Sequence, residues 1–257
     1  MKIHNAVNRA LEVLEYLASR KHPATLTEIC QYLDAPKTSM NPIIYTLLVK
    51  KFILYDASSH TYALGSAAYK IGNEYLEKFD VLKYIRRIMD DIVTICSETC
   101  YFATLDGPNV NYLLKADSTE KIRMVSSIGT TFPAYATALG KCMLTQFSVD
   151  EIEKLYPEGL KPLAPKTITN FNVLMKEIEN VKNRGFACDD EESYPDVRCR
   201  AVPICRNGKV IASLSISTPA FRFTSQKEEL ILRTLLQKKS MIEQMFNESQ
   251  VDLSVLL

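Results

Sequence analysis

The segment TLTEICQYLDAPKTSMNPIIYTLLVKK, at residues 25–51, sets the architecture of the amino-terminal part of the chain. Its apolar residues recur at helical spacing in two runs, 26–33 and 40–48, and Pro36 falls in the short gap between them. The second run ends beside Lys50, and a basic residue suits the carboxyl end of a helix. The pattern predicts two short helices joined by a tight turn, which is a helix-turn-helix.

The flanking sequence extends this unit in both directions. A further helical run lies at 7–18, and two short strand-like runs, 52–55 and 61–64, enclose a polar loop. A hairpin directly after a helix-turn-helix is a wing, although the same elements also fit other small α/β modules. Residues 1–65 hold seven basic and five acidic residues, a net charge of +2 in a chain whose net charge is +1. This bias is weakly in favour of nucleic acid as a partner.

The rest of the chain predicts an α+β domain. A long helical stretch follows Gly65, with an apolar face at 81–93, and the last helix carries apolar residues over 230–245. Between them, hairpin-linked and mainly antiparallel strands alternate with shorter helices. The predicted strands are 101–105, 110–114, 122–126, 201–205 and 210–217.

The composition excludes several classes of protein. The eight glycines are all isolated, so neither a dinucleotide-binding nor a P-loop motif can be written. All three histidines lie at or before residue 60, which excludes a histidine triad or a histidine zinc site beyond it. The seven cysteines form no C-x-x-C motif, and no apolar run is long enough to span a membrane. We therefore expect a cytoplasmic protein with no metal, no cofactor and no membrane partner.

Six segments, in this order, resemble the IclR-type transcriptional regulators, the isocitrate lyase regulator family, over nearly the whole chain. Two lie in the helix-turn-helix region, one lies at the end of the wing and three lie in the larger domain. Agreement of six separate segments in the same order is more than chance explains. The segments are AVNRALEVL at 6–14, LTEI at 26–29, YALG at 62–65, ATALGK at 136–141, RGFACDDEE at 184–192 and VRCRAVP at 197–203.

The resemblance implies a winged helix-turn-helix in residues 1–65, a linker helix in 66–80 and a GAF-like effector-binding domain in 81–250. It also implies a homodimer or homotetramer that binds double-stranded operator DNA and has no catalytic activity. We expect the DNA contacts to come from the second helix of the motif and the wing. These residues are Lys37, Thr38, Ser39, Asn41, Tyr45, Lys50 and His60.

The effector implied by the resemblance is a small metabolite, such as a carboxylate or a sugar acid. Backbone amides at a helix start would favour an anion, and Asp189 and Ser215 would bind hydroxyl groups. If Asp189 and Ser215 are reserved for a ligand, they bond to little else in the unliganded protein. We then expect that replacing either by alanine leaves the melting temperature of the unliganded protein nearly unchanged. Alternatively, Asp189 belongs to a solvated acidic loop and Cys199 is an inert thiol. The expected effector residues are Ala138, Leu139, Asp189, Val197, Cys199 and Ser215.

One residue departs from the family pattern: Pro42 stands where the recognition helix usually has arginine. Proline removes a backbone N–H and a phosphate-binding side chain, so the helix is expected to be kinked or to begin as late as Pro42, with Asn41 as its cap. A metabolite sensor with a degenerate DNA-binding head is therefore one alternative. A thiol enzyme is another, with Cys199 activated by Arg198 and Arg200.

The two longest apolar faces indicate how the chain associates. The face at 7–18 and the face at 81–93 offer more apolar surface than one wing can cover. We expect both faces to pair between subunits.

Overall fold

The computed structural model describes residues 4–78, 80–122 and 131–248, and the side chains of 73–80 are not described. The predicted strand at 122–126 lies outside the described residues except for Ile122, which is not in a strand. The chain divides into two compact units, Met1–Asp80 and Val81–Leu257.

The first unit contains the predicted helix-turn-helix and wing. A short strand before the motif, which the sequence pattern did not predict, joins the wing to form a three-stranded antiparallel sheet of order β1-β3-β2. The elements are α1 (Asn5–Ser19), β1 (Ala24–Thr25), α2 (Leu26–Tyr32), α3 (Lys37–Val49), β2 (Ile53–Asp56), β3 (Thr61–Leu64) and α4 (Ser66–Lys78).

The helix α3 begins five residues before Pro42 and runs through it. The amides of Ser39 and Met40 donate to the Pro36 carbonyl, at 3.1 and 3.2 Å. Met40 and Ile44 lie four residues apart on one helix face, and both are buried in the core of the unit. The expected start at Pro42 is therefore wrong, because burying Met40 beside Ile44 requires helix on both sides of the proline.

The second unit is built on a six-stranded sheet of order β6-β5-β4-β9-β8-β7, in which every neighbouring pair is antiparallel. Its elements are α5 (Asp80–Cys96), β4 (Thr99–Asp106), β5 (Asn109–Ala116), β6 (Phe132–Pro133), α6 (Ala138–Leu144), α7 (Val149–Leu155), α8 (Phe171–Arg184), β7 (Ala187–Asp190), β8 (Val197–Arg206), β9 (Lys209–Pro219) and α9 (Ser225–Glu248). The α+β class and the mainly antiparallel sheet are as predicted.

The longest strand pair, β8 and β9, is connected by the predicted tight turn. Asn207 and Gly208 have φ values of 51° and 77°, the left-handed conformations that a two-residue hairpin turn requires. The short strand β7 was not predicted, because its sequence, ACDD, has two acidic residues and lies at the edge of the sheet.

The apolar face of α5 is already covered by the chain itself. Leu82, Ile85, Met89 and Ile92 are each at most 1% exposed. The expectation that this face pairs between subunits is therefore wrong. A hydrophobic face read from the sequence does not say which surface covers it, and here the burial is intramolecular.

Candidate functional site

All six predicted effector residues line one cavity on the six-stranded sheet, which we call the sheet cavity. Its space between atoms, open solvent at the mouth included, is about 410 Å³, and about 30 Å³ is wide enough to hold the centre of a water molecule. The predicted residues in its wall are Ala138, Leu139, Asp189, Val197, Cys199 and Ser215, and the others are Tyr101, Tyr112, Phe132, Thr137, Ser193, Tyr194 and Ser217.

Strand register explains why residues far apart in sequence meet here. Asp189 on β7 lies opposite Cys199 on β8, and Cys199 lies opposite Ser217 on β9. Ser215, two residues before Ser217, lies opposite Tyr101 on β4. Side chains two residues apart on a strand share a face, so one side of the sheet supplies this wall of the cavity.

The start of α6 forms another wall. The Thr137 hydroxyl caps the helix by accepting from the Gly140 amide at 2.9 Å, while Ala138 and Leu139 form the first turn beside the cavity. Gly140 permits this packing, since a Cβ there would lie 2.1 Å from the Ala134 carbonyl oxygen. The first amides of a helix have no acceptor within the helix. Those of Ala138 and Leu139 can therefore serve an acceptor in the cavity.

Asp189 is a structural residue as well as a cavity residue. It is 1% exposed, and its Oδ1 accepts from the amides of Glu192 at 2.8 Å and Ser193 at 3.3 Å. Its Oδ2 accepts from the Ser193 hydroxyl at 2.5 Å. Burial raises the pKa of the Asp189 carboxyl against the opposing effect of these hydrogen bonds. The expectation that Asp189 can be truncated without affecting the fold is therefore wrong, and the interpretation as a solvated loop is wrong too.

A buried ion pair lies beside Asp189. The Lys141 ammonium, on α6, is fully buried and lies 2.6 and 2.8 Å from the two carboxylate oxygens of Glu192. Burial raises the pKa of Glu192, while the charge of Lys141 acts in the opposite direction. No local sequence signal indicates this pair, because its members are 51 residues apart.

Ser215 and Cys199 differ in their hydrogen bonding. Ser215 is 1% exposed as a residue, and within the described part of the chain no hydrogen bond is found for its hydroxyl, which borders the cavity. The Cys199 Sγ lies 3.1 Å from the Ser217 Oγ. Burial raises the pKa of the Cys199 thiol well above its usual range despite the charge of Arg200. A thiol held in its neutral form is a poor nucleophile, which contradicts the thiol-enzyme alternative.

Aromatic side chains complete the sheet cavity. The rings of Tyr101 and Tyr112 meet edge to face with centroids 5.3 Å apart, and Tyr112 meets Phe132 at 6.3 Å. Alternation along β4 and β5 could have indicated which face these tyrosines occupy, but not that the face borders a cavity. Tyr194 also lies in the wall while 53% exposed, so it is at the mouth.

The predicted DNA-contacting residues fall into two groups. Lys37, Thr38, Asn41 and Tyr45 are exposed on α3, and Asn41 lies three or four residues from each of the other three, which puts it on a common face with them. Tyr45 is 69% exposed, so most of its ring is available for contact with a partner. This exposed face of α3 is a candidate surface for the major groove.

The remaining three residues lie at the edges of that surface. Lys50 is exposed just after α3, and His60 is exposed in the wing turn, where its Nδ1 lies 2.8 Å from the Tyr55 hydroxyl. Ser39 is half-buried, donates to the Pro36 carbonyl at 2.9 Å and accepts from Arg9 at 3.1 Å. The Ser39 hydroxyl thus helps to join α1 to α3.

The described residues hold neither a cluster of metal ligands nor a membrane-spanning helix. No group of three or more His, Cys, Asp or Glu side chains among them is placed to hold a metal ion. No helix in the described ranges is both long and apolar enough to cross a membrane.

A winged helix-turn-helix, joined in one chain to a domain whose sheet borders a small cavity with polar groups in its wall, defines a class of transcriptional regulator. The family model described as bacterial transcriptional regulator IclR C-terminal matches residues 73–243, and the IclR helix-turn-helix domain matches residues 6–57. The chain belongs to the IclR family, and the curated relatives that it matches are named as transcriptional regulators or repressors.

Individual relatives support this assignment over most of the chain. The regulator KdgR of Escherichia coli K12 is 29% identical over 226 residues, covering 87% of this chain and 85% of its own. The regulator BhcR of Paracoccus denitrificans is 27% identical over 86% of this chain and 80% of its own. The solved IclR regulator of Alicyclobacillus acidocaldarius is 26% identical with a TM-score of 0.86, covering 95% of this chain and 99% of its own.

Proposed function

We propose that the chain is a ligand-responsive regulator in which residues 1–65 bind operator DNA, 66–80 form a linker helix and 81–250 bind a small effector. The main support is that the six predicted residues, five from three family-like segments and Ser215 from β9, line one cavity. A cavity with a few polar groups among apolar and aromatic walls is typical of a small-molecule site.

The polar groups of the sheet cavity favour a small carboxylate or sugar acid. The amides of Ala138 and Leu139 would bind the carboxylate, since the first amides of a helix have no acceptor within the helix and lie at its positive end. The Ser215 and Ser217 hydroxyls would bind hydroxyl or keto oxygens of the ligand. Asp189, already bonded to its own loop, would contribute only its remaining acceptor capacity.

Calorimetric titration with matched ligands tests this class. Gluconate is compared with glucose, and 4-hydroxybenzoate, which is bound by an IclR homologue of Microbacterium hydrocarbonoxydans, is compared with 4-hydroxybenzamide. We expect at least one acid to bind while its uncharged counterpart does not, and Ser215→Ala to weaken that binding. Equal binding of acid and neutral counterpart would contradict the role of the α6 amides.

We also propose that DNA binds across the exposed face of α3 and the wing. Lys37 and Lys50 would neutralise phosphates, so the affinity should fall steeply with salt. Asn41 and Tyr45 project from the middle of the same face and would reach base edges. The complete and continuous α3 argues against a degenerate DNA-binding head.

Homo-oligomerisation is the remaining part of the proposal. On α1, Val7 and Leu11 are 58% and 54% exposed, and on α4 Tyr69 and Ile71 are 75% and 60% exposed. Exposed apolar side chains grouped on helices of one small unit are typical of an interface. These helices, and not α5, are therefore the proposed contacts between subunits.

A further inference from the structure

The connection between β7 and β8, residues 191–196, covers part of the sheet cavity, and we call it the cover segment. Its residues Ser193 and Tyr194 line the cavity, with Tyr194 at the mouth. At its two ends, Glu191 and Asp196 have φ values of 71° and 60°. Residues other than glycine adopt such conformations only where surrounding contacts impose them.

The contacts that hold the cover segment are of two kinds. Its ends are held by backbone bonds, from the Glu191 amide to the Val197 carbonyl at 3.0 Å and from the Ala220 amide to the Asp196 carbonyl at 2.8 Å. Its interior is held by side chains, among which the Thr167 hydroxyl donates to the Glu192 carbonyl at 2.6 Å. The Glu192 side chain reaches away from the segment altogether, to Lys141.

The Lys141–Glu192 pair connects two walls of the sheet cavity. Lys141 belongs to α6, whose first turn lines the cavity, and Glu192 belongs to the cover segment. Both are buried, so neither charge can lose its partner and stay in place without a large desolvation cost. Lys141 is fixed in the middle of a helix. An unpaired Glu192 can therefore reach water most readily if the cover segment moves.

We propose that the Lys141–Glu192 ion pair is a latch that keeps the cover segment closed, so that its release controls entry into the sheet cavity. The regulatory meaning of the latch rests on the proposed function, because it would gate effector binding. The latch itself can be tested with no effector present.

Cys199 reports on the opening of the cavity. The residue is half-buried with its thiol in the cavity wall, and the raised pKa of the thiol keeps it in the unreactive neutral form. Cys142, next to Lys141 on α6, is fully buried and reports on unfolding of the helix. The rate of labelling by N-ethylmaleimide, measured at each cysteine by peptide mass spectrometry, separates these two events in one sample.

Lys141→Met leaves the Glu192 carboxylate without a partner and should label Cys199 about tenfold faster than wild type. In the double variant Lys141→Met/Glu192→Leu an apolar contact takes the place of the ion pair and no charge remains to be expelled, so the rate should return to near the wild-type value. Lys166→Met is the matched control, because the Lys166–Glu191 pair is on the same segment but Lys166 is exposed. It should change the rate less than about twofold.

Three results would overturn the latch. The first is an unchanged Cys199 rate in Lys141→Met. The second is equal acceleration of Cys142, which would show that the pair holds α6 and not the cover segment. The third is a double variant as reactive as the single one. None of these outcomes depends on ligand binding, so failure of the latch is distinguishable from failure of the proposed function.

Discussion

Asp189 and Ser215 are both buried in the wall of the sheet cavity, yet their hydrogen bonds predict opposite consequences of truncation. Asp189→Ala removes the acceptor of two amides and a hydroxyl, so the free energy of unfolding should fall by about 1–3 kcal/mol. Ser215→Ala removes no hydrogen bond among the described residues and should change it by less than about 0.5 kcal/mol. Denaturant unfolding of the two variants measures both changes, and equal destabilisation would contradict the assignment.

The pKa of Asp189 predicts an unusual pH dependence. Because burial raises this pKa, the folded state holds the proton more tightly than the unfolded state. The stability of wild type relative to Asp189→Asn should therefore fall as the pH rises from about 4 through the raised pKa, and then level off. Melting temperatures of the two proteins across this range test the sign. A wild-type protein that gains stability over the variant with rising pH would show that the pKa is lowered.

Single residues also show the limit of sequence-based prediction. The six cavity residues were predicted from the family resemblance, and the register of neighbouring strands brings together the four of them that lie on the sheet. The bonds of Asp189 were not predicted, because they depend on the path of the cover segment. Lys141 and Glu192 were not predicted as a pair, since nothing local links residues 51 positions apart.

Among the elements, α3 shows how packing overrides a local signal. Proline inside a helix removes one hydrogen bond and strains the preceding turn, yet α3 continues through Pro42 because Met40 and Ile44 are both buried. By contrast, the start of α2 could be predicted from local sequence. Thr25 and Glu28 form a reciprocal capping box there, which depends only on residues three apart.

Replacing Pro42 separates helix stability from charge. Pro42→Ala should stabilise the first unit by up to about 3 kcal/mol without adding a phosphate contact. Pro42→Arg should give a similar gain in stability and also tighten DNA binding. The slope of log affinity against log salt concentration should steepen by the release of about one more counterion. Thermal melting and anisotropy with labelled DNA at several salt concentrations measure the two effects. An equal gain in DNA affinity for both variants would show that position 42 acts through helix geometry alone.

For the whole molecule, the exposed apolar residues of α1 predict the state of association. Leu11→Glu places a charge on this face, where Leu11 is 54% exposed and thus contributes little to the fold of the monomer. We expect sedimentation at micromolar concentration to show a dimer or tetramer for wild type and a smaller species for the variant. A wild-type monomer, or a variant that associates as well as wild type, would contradict the proposed interface.

The central claim is that occupancy of the sheet cavity changes DNA binding. Anisotropy of a labelled duplex from the region upstream of the chain's own gene, titrated with protein alone and with the saturating acid found by calorimetry, tests it directly. We predict that the ligand changes the Kd at least about fivefold for wild type, and that at the same ligand concentration Ser215→Ala shows a smaller change. An identical Kd with and without saturating ligand would contradict the claim.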